Sequence, residues 1–561
     1  PEDEGPFPST GNLRIHAAFQ LKPDDGSGPD RLAIVQVPPN LGRFVRLPPG
    51  DDGVYRVALL DDLVLGFGDR MFPGYTVRER TLFKVTRDAD IGVDEDRDDD
   101  FVAAMEEVLA NRQNSWPVRM TISADSEILE GLLSKALGLG QDDIYIIAGP
   151  IDLKSFMELA TQKGFDELRF AAHDAVEVLQ LSEDTTIWDE IRRRDIILHA
   201  PYESFKPVLD FVDAASRDPS VLAIKATLYR TSGDSPVVKA LTRAAHNGKQ
   251  VVVVVELKAR FDEERNIAWA SRLEQAGAIV VYGAARLKVH AKGFFVVRRE
   301  DDGSIMRYTH LSTGNYNEKT ARLYVDLSMF SASPALASDL GLFFNMLTGL
   351  SSVTELKALS LAPFDLKRRI IAMIDREAER STPESPGLIA AKMNSLCDKD
   401  VIDALYRASC AGVRIMLNVR GVCQLIPGLK GLSESIKVVS IVGRYLEHSR
   451  IFYVRNGGAE ELYLSSADWM PRNLERRIEL MFPVSGTEAR ERVYAILMSY
   501  FLDNRSARVL GPSGHWKRVK AAEGEEPFSV QEYFHAELEG RALRLEDRSD
   551  VRELQVRRRA P

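Results

Sequence analysis

No apolar run in the 561-residue chain approaches the roughly 18–20 residues that a membrane-spanning helix needs, and no signal peptide is visible. The expected location is therefore cytoplasmic, without a transmembrane segment, while peripheral membrane association stays open. Cysteine is scarce: Cys397, Cys410 and Cys423 stand thirteen residues apart, and none forms a C-x-x-C pair. An odd, unpaired set argues against a cysteine metal site and for buried free thiols in a reducing compartment. Basic residues are not in excess either. A formal net charge of −10 argues against a generic nucleic-acid or membrane-surface binder, although a local basic cleft is compatible with it.

What is present is ordinary globular material, 45% hydrophobic and 28% charged, enough for three or four domains. Residues 1–190 alternate strands (13–21, 32–37, 55–60, 81–86 and 118–122) with helices (126–137 and 153–161), an α+β head domain. Ser123 or Asp125 is available to cap the first of these helices. The acidic run Asp94–Asp100 reads as a solvated loop entering a helix near 101–111. Residues 165–192 read as a linker. Beyond them strands and helices alternate cleanly, and the five consecutive valines Val251–Val255 suit a strand covered on both faces, hence a parallel sheet.

An internal repeat organises the remainder. Ala240-Leu-Thr-Arg243, Gly248 and Val251 recur as Ala404-Leu-Tyr-Arg407, Gly412 and Ile415. Arg286-x-x-x-His290-x-Lys292-x-Phe294-x-Val296 recurs as Arg444-x-x-x-His448-x-Arg450-x-Phe452-x-Val454. Leu311-Ser312-Thr-Gly-Asn315 then answers to Leu464-Ser465-Ser-Ala-Asp468, and an acid closes each copy, Asp326 and Glu479. Recurrence of so many elements in one order implies two copies of one αβα domain, about 193–350 and 355–520, packed against each other, in domains 191–352 and 353–561, the latter carrying a C-terminal tail as well.

The repeat has chemical content. A neutral imidazole ringed by fixed cations is what a phosphoryl acceptor needs. Ser312 and Asn315 can bond phosphate oxygens, Lys292 and Arg450 can supply charge, and two histidines at a twofold interface can divide attack from proton transfer. The second copy carries Arg450 for lysine and Asp468 for asparagine, so the two histidines are expected to differ in role.

This arrangement resembles the phospholipase D superfamily. Longer blocks are similar to bacterial polyphosphate kinase of the large, histidine-phosphorylating family: Leu198-His-Ala-Pro-Tyr-Glu-Ser204, Ile224-Lys-Ala-Thr-Leu-Tyr-Arg230, Glu256-Leu-Lys-Ala-Arg260, His310 through Asp326, Val419-Arg420-Gly-Val-Cys, Gly443 through Arg450, and Ser466 through Glu479. The resemblance implies two phospholipase D-like domains behind the head domain. It further implies reversible transfer of the terminal phosphate of ATP to inorganic polyphosphate, with Mg²⁺ and in a homo-oligomer. Carried over, His290 is the phosphorylated nucleophile, His448 the acid/base, and Asp326 the acid orienting the nucleophilic ring. Tyr324, Arg420 and His448 match nucleotide-contacting positions, which Arg477 and Glu479 would extend. Arg230 and Arg260 match the magnesium–phosphate site. A guanidinium has no lone pair to give a cation, so they are read as phosphate clamps with the metal riding on the phosphates.

Two departures stand out. Ala200 replaces a histidine usual in the family, and the chain opens near the end of the family's N-terminal helical domain, at Gly5-Pro-Phe-Pro8, without an initial Met. A phosphodiesterase or phosphatidyl transferase, and a polyphosphate-binding protein without catalysis, are the other readings. His310 is a supporting hydrogen bonder or a structural residue.

Overall fold

The computed structural model describes residues 7, 8, 10–48, 50–88, 115–179, 185–229, 235–256, 263–283, 287–350 and 355–541. Arg230, Arg260, Arg286, the acidic run with its expected helix, and the Arg557–Arg559 tail lie outside them. The chain divides into two compact units, Pro1–Ala171 and Ala172–Pro561.

The first unit is built on a five-stranded sheet in the order Arg31–Gln36, Ile15–Pro23, Tyr75–Arg87, Pro117–Ser123, Ile144–Ile147, antiparallel except for the last pair. Helix Glu127–Leu137 turns Leu129, Leu133 and Leu137 onto Ala18, Phe83 and Ile122, as its apolar spacing requires. Its cap is Ser126, which accepts from the Leu129 amide at 3.1 Å. The expected caps Ser123 and Asp125 are bonded to each other instead. Gly138 ends the helix at φ 67°, where its lack of a Cβ removes the strain.

The second unit begins earlier than expected. Residues 172–190 run with it: Val176 bridges Glu203, and Thr186 caps a helix, Ile187–Arg193, that buries Trp188 and Ile191. The linker reading missed that helix because seven residues carry little periodicity.

Within this unit the repeat appears as two sheets. The first runs Ile279–Tyr282, Gln250–Val255, Val221–Leu228, Gly293–Arg299, Ile305–Ser312, Tyr324–Ser331, with Ile196–Ala200 also on the last strand. Val251–Val255 is buried and lies between two parallel neighbours. The sheet as a whole is mixed, not parallel, because Gly293–Arg299 joins Val221–Leu228 antiparallel and opens a meander. The second sheet repeats the plan through Arg477–Pro483, Glu461–Ser465, Ile451–Val454, Leu388–Met393, Arg414–Val419 and Ile436–Ile441. Helices such as Pro236–His246 and Leu366–Arg380 flank the sheets; the latter buries Leu366, Ile370, Met373 and Ile374, one helical stripe.

Each sheet takes a short strand from the other copy. Lys288–Val289 pairs parallel with Arg477–Ile478, and Leu446–Glu447 pairs parallel with Tyr324–Val325. One apolar core runs through both copies, joining Leu327, Leu340, Phe343 and Phe344 to Leu464, Ile478, Phe482 and Ile496. This exchange fixes the copies against each other and places the two histidines. Among the described residues no helix is long and apolar enough to cross a membrane. The three cysteines are free, but none is buried as expected: Cys397 and Cys423 are partly exposed, and Cys410, the last residue of helix Lys399–Cys410, is exposed.

Candidate active site

His290 follows directly on Lys288–Val289, and its amide and that of Ala291 both donate to the carbonyl of Ile478, at 2.9 and 3.0 Å. The short exchanged strand thus delivers the ring beside the second copy's closing acid. Nδ1 of His290 lies 2.9 Å from Oε2 of Glu479. A carboxylate can only accept, so Nδ1 carries the proton and Nε2 keeps the lone pair. Glu479 is wholly buried and held in turn by Ser466 Oγ at 2.5 Å and Asn473 Nδ2 at 2.8 Å.

The other half is the mirror of this one. His448 and Ser449 donate their amides to Val325, at 3.1 and 2.7 Å, and Nδ1 of His448 lies 2.9 Å from both carboxylate oxygens of Asp326. Thr313 Oγ1 fixes the same carboxylate at 2.6 Å. A Cβ on Gly314 would overlap it, so glycine leaves room for Asp326.

The pairing is therefore crossed, which corrects two expectations. Asp326 does not orient His290; it orients His448, and Glu479 serves His290. Glu479 cannot extend a nucleotide wall either, since it is sealed from solvent with its oxygens engaged.

The cations differ between halves as the sequence difference suggested, but not as free charges. Arg450 spends its guanidinium on Asp468 (3.3 and 3.0 Å), the His448 carbonyl (2.8 Å) and the Thr313 carbonyl (3.2 Å). Its Nη1 sits 3.3 Å from Nε2 and 3.5 Å from Nδ1 of His448. The charge expected of Arg450 for phosphate is thus neutralised by Asp468. In the first copy the ammonium of Lys292 donates to the His290 carbonyl and lies 5.6 Å from the Tyr229 ring centre. Asparagine stands where the second copy has its acid, and Asn315 Oδ1 is buried without a hydrogen-bond partner among the described residues. Ser312 Oγ accepts from the Gly314 amide at 3.0 Å, shaping that turn.

Burial dominates the titration of the site. It lowers His290 to about 3, with Lys292 and Arg477 adding to the fall and Glu479 opposing it. His448 is lowered for the same first reason, against the pull of Asp326. Both rings are neutral at physiological pH. Burial also pushes Lys292 well below the usual lysine range, with Glu479 opposing the fall. Asp468 falls to about 2: desolvation opposes ionisation, but the charge and hydrogen bond of Arg450, the Asn394 amide and His448 together outweigh it.

The remaining predicted residues gather here unevenly. Tyr324 stands over His448 with ring centres 5.3 Å apart. Arg420 Nε donates to Asn394 Oδ1 at 3.0 Å, and Asn394 Nδ2 reaches the His448 carbonyl at 3.3 Å. Arg477, half-buried, pairs across Lys288 and acts on both His290 and Lys292. His310 is fully buried, bonded through Nδ1 to Tyr316 at 3.0 Å, and held near 3 by burial, which makes it a support of the core. Sequence reasoning missed Lys392, a buried ammonium 3.0 Å from Glu447 and 2.7 Å from Ser449 Oγ, on either side of His448. The repeat carried no signal for it, because by strand register its counterpart in Val221–Leu228 is Thr227 rather than a lysine.

Three family models match the chain: "Polyphosphate kinase middle domain" over residues 2–159, "Polyphosphate kinase C-terminal domain 1" over 186–353 and "Polyphosphate kinase C-terminal domain 2" over 359–531. The sequence is 44% identical to "Polyphosphate kinase" of Halalkalibacterium halodurans over 533 residues, 94% of this chain and 75% of the relative. It is 42% identical to "Polyphosphate kinase" of Pseudomonas aeruginosa, over 94% of this chain and 76% of the relative. The solved polyphosphate kinase of Porphyromonas gingivalis superposes with a TM-score of 0.80 at 32% identity, covering 94% of this chain and 78% of that one.

Proposed function

This chain belongs to the polyphosphate kinase family, and from that premise we propose that it transfers the terminal phosphate of ATP reversibly to inorganic polyphosphate through a phosphohistidine on His290. The observation that carries the nucleophile is the hydrogen bond from His290 Nδ1 to Glu479 at 2.9 Å. It leaves a neutral ring with Nε2 as its nucleophilic atom, on the half whose lysine has no acid in the equivalent position.

In the forward step Nε2 attacks the γ-phosphorus of ATP, the bond to the bridging oxygen breaks, and ADP leaves. Glu479 stabilises the positive charge that the ring acquires. In the second step a terminal oxygen of polyphosphate attacks the same phosphorus and the N–P bond breaks, returning His290 to its neutral state. His448 handles the proton at the leaving or attacking oxygen, oriented by Asp326. Tyr324, Arg420 and Arg477 line the nucleotide side. Segments 1–190, 191–352 and 353–561 divide this work between a head domain and two catalytic copies.

Asp326, Glu479 and Asp468 are all engaged with His448, His290 and Arg450. Mg²⁺ would therefore enter on the phosphates and shield their charge.

The test is incubation with γ-labelled ATP and Mg²⁺. An acid-labile protein phosphate that chases onto long chains is expected. Diester hydrolysis without ATP supports a phosphodiesterase instead, and binding without labelling a non-catalytic protein. An unchanged ATP affinity in Arg420→Ala overturns the nucleotide side as drawn.

A further inference from the structure

His448 is held on its strand side by Val325, but the segment that carries it is also gripped from outside the repeat. Helix Val530–Leu538 follows the repeated elements of the second copy and has no counterpart in the first among the described residues. Its Gln531 is buried, and its amide closes a two-way bond with the backbone of Tyr445: Oε1 accepts from the Tyr445 amide at 3.0 Å, and Nε2 donates to the Tyr445 carbonyl at 3.0 Å. The same Nε2 donates to Glu447 Oε1 at 2.6 Å. Glu447 is buried against Lys392 at 3.0 Å, and Lys392 returns to Ser449 Oγ at 2.7 Å. The residues before and after His448 are thereby tied to one node. Space is tight as well, since a Cβ on Gly443 would lie 2.6 Å from Gln531 Oε1.

We propose that Gln531 is a positioning residue for the phosphotransfer: its side chain fixes the Tyr445–Ser449 segment and so sets the His448 imidazole against Asp326. This rests on the reading of His448 as the residue that handles the proton. The physical argument is one of register. Strand Leu446–Glu447 is only two residues long, and its backbone hold on the first copy is one-sided: the pairing with Tyr324–Val325 and the amide bonds of Leu446, His448 and Ser449 to Leu323 and Val325, so a second hold on the segment bears on the tolerance that proton transfer needs. Gln531 supplies the second side of the clamp, with three hydrogen bonds from one planar group. A buried amide with every bond satisfied holds a single geometry, because any slip leaves polar atoms unpaired.

The test is a double-mutant cycle on the full chain with ATP and polyphosphate. Gln531→Ala, and the volume-conserving Gln531→Met should the first not fold, is expected to lower kcat about tenfold to a hundredfold with KM for ATP within about twofold. Gly443→Ala presses on the same amide from the other side and is expected to lower kcat in the same way. In a His448→Ala chain, assayed at single turnover so that slow transfer is measured, Gln531→Met is expected to cost nothing further. An equal loss in both backgrounds overturns the proposal, as does a Gln531→Met chain with parental kcat. A His448→Ala chain as active as the parent fails the reading of His448 itself, whatever Gln531→Met does.

Discussion

His290 and Glu479 come from different copies of the repeat, yet their side chains meet at 2.9 Å. His448 and Asp326 form the reciprocal pair, also at 2.9 Å. Two exchanged strands of two residues each create both contacts. Neither copy alone contains an oriented histidine, so the chemistry depends on their being locked together by a common core.

The crossing predicts distinct kinetic phenotypes for the two acids. Glu479→Gln is expected to slow labelling of the protein by γ-labelled ATP on the order of 10²-fold, because the nucleophilic ring loses its orienting charge. Asp326→Asn is expected to slow net transfer while sparing the fraction of protein that labels at equilibrium. Rapid-quench measurement of phosphoprotein in both variants checks this. If Asp326→Asn, and not Glu479→Gln, abolishes labelling, the pairing is not the functional one.

Much of this was legible in the sequence, and the failures have identifiable causes. The repeat, the valine strand and the two histidines follow from periodicity and spacing, which depend on near neighbours. The partner of each histidine does not. Asp326 follows His290 within one copy, and the family resemblance implied it as the orienting acid, a bond that the strand exchange gives to Glu479 instead. The helix at Ile187–Arg193 and the exposure of Cys410 depend on packing that local composition does not report. Gln531 was invisible for a further reason: it lies outside the repeat, on a helix whose only distinguishing feature is what it touches.

Arg450 and Asp468 form a buried ion pair, and the handling of such pairs is asymmetric. Asp468→Asn strands a buried guanidinium and is expected to cost about 3–5 kcal/mol of stability. The double change Arg450→Met with Asp468→Leu removes both charges and is expected to cost less than the single change. Thermal and urea melts of the two variants make the comparison. A single variant as stable as the parent contradicts the pair as described.

Acid is expected to weaken the fold before the carboxylates titrate. His290 and His310 are held to about 3 by burial, while in the unfolded chain a histidine titrates near its ordinary value of about 6.5. Between those limits the unfolded chain binds protons that the folded chain refuses, so stability present above about pH 6.5 is lost as pH falls toward 3. Melting temperature should drop from pH 7 to pH 5, and the drop should be shallower in His310→Leu, where Tyr316 keeps its bond to the backbone carbonyl of residue 310. An unchanged slope in that variant contradicts the burial of a neutral ring there.

The central claim is that His290 is the phosphorylated residue and that Glu479 decides which of its nitrogens reacts. Phosphorus NMR of the denatured phosphoprotein, joined to peptide mapping by mass spectrometry, reads both at once. Phosphate on Nε2 of His290, absent from the His290→Ala chain, is the predicted result; phosphate on Nδ1, on His448, or undiminished labelling of His290→Ala would contradict it.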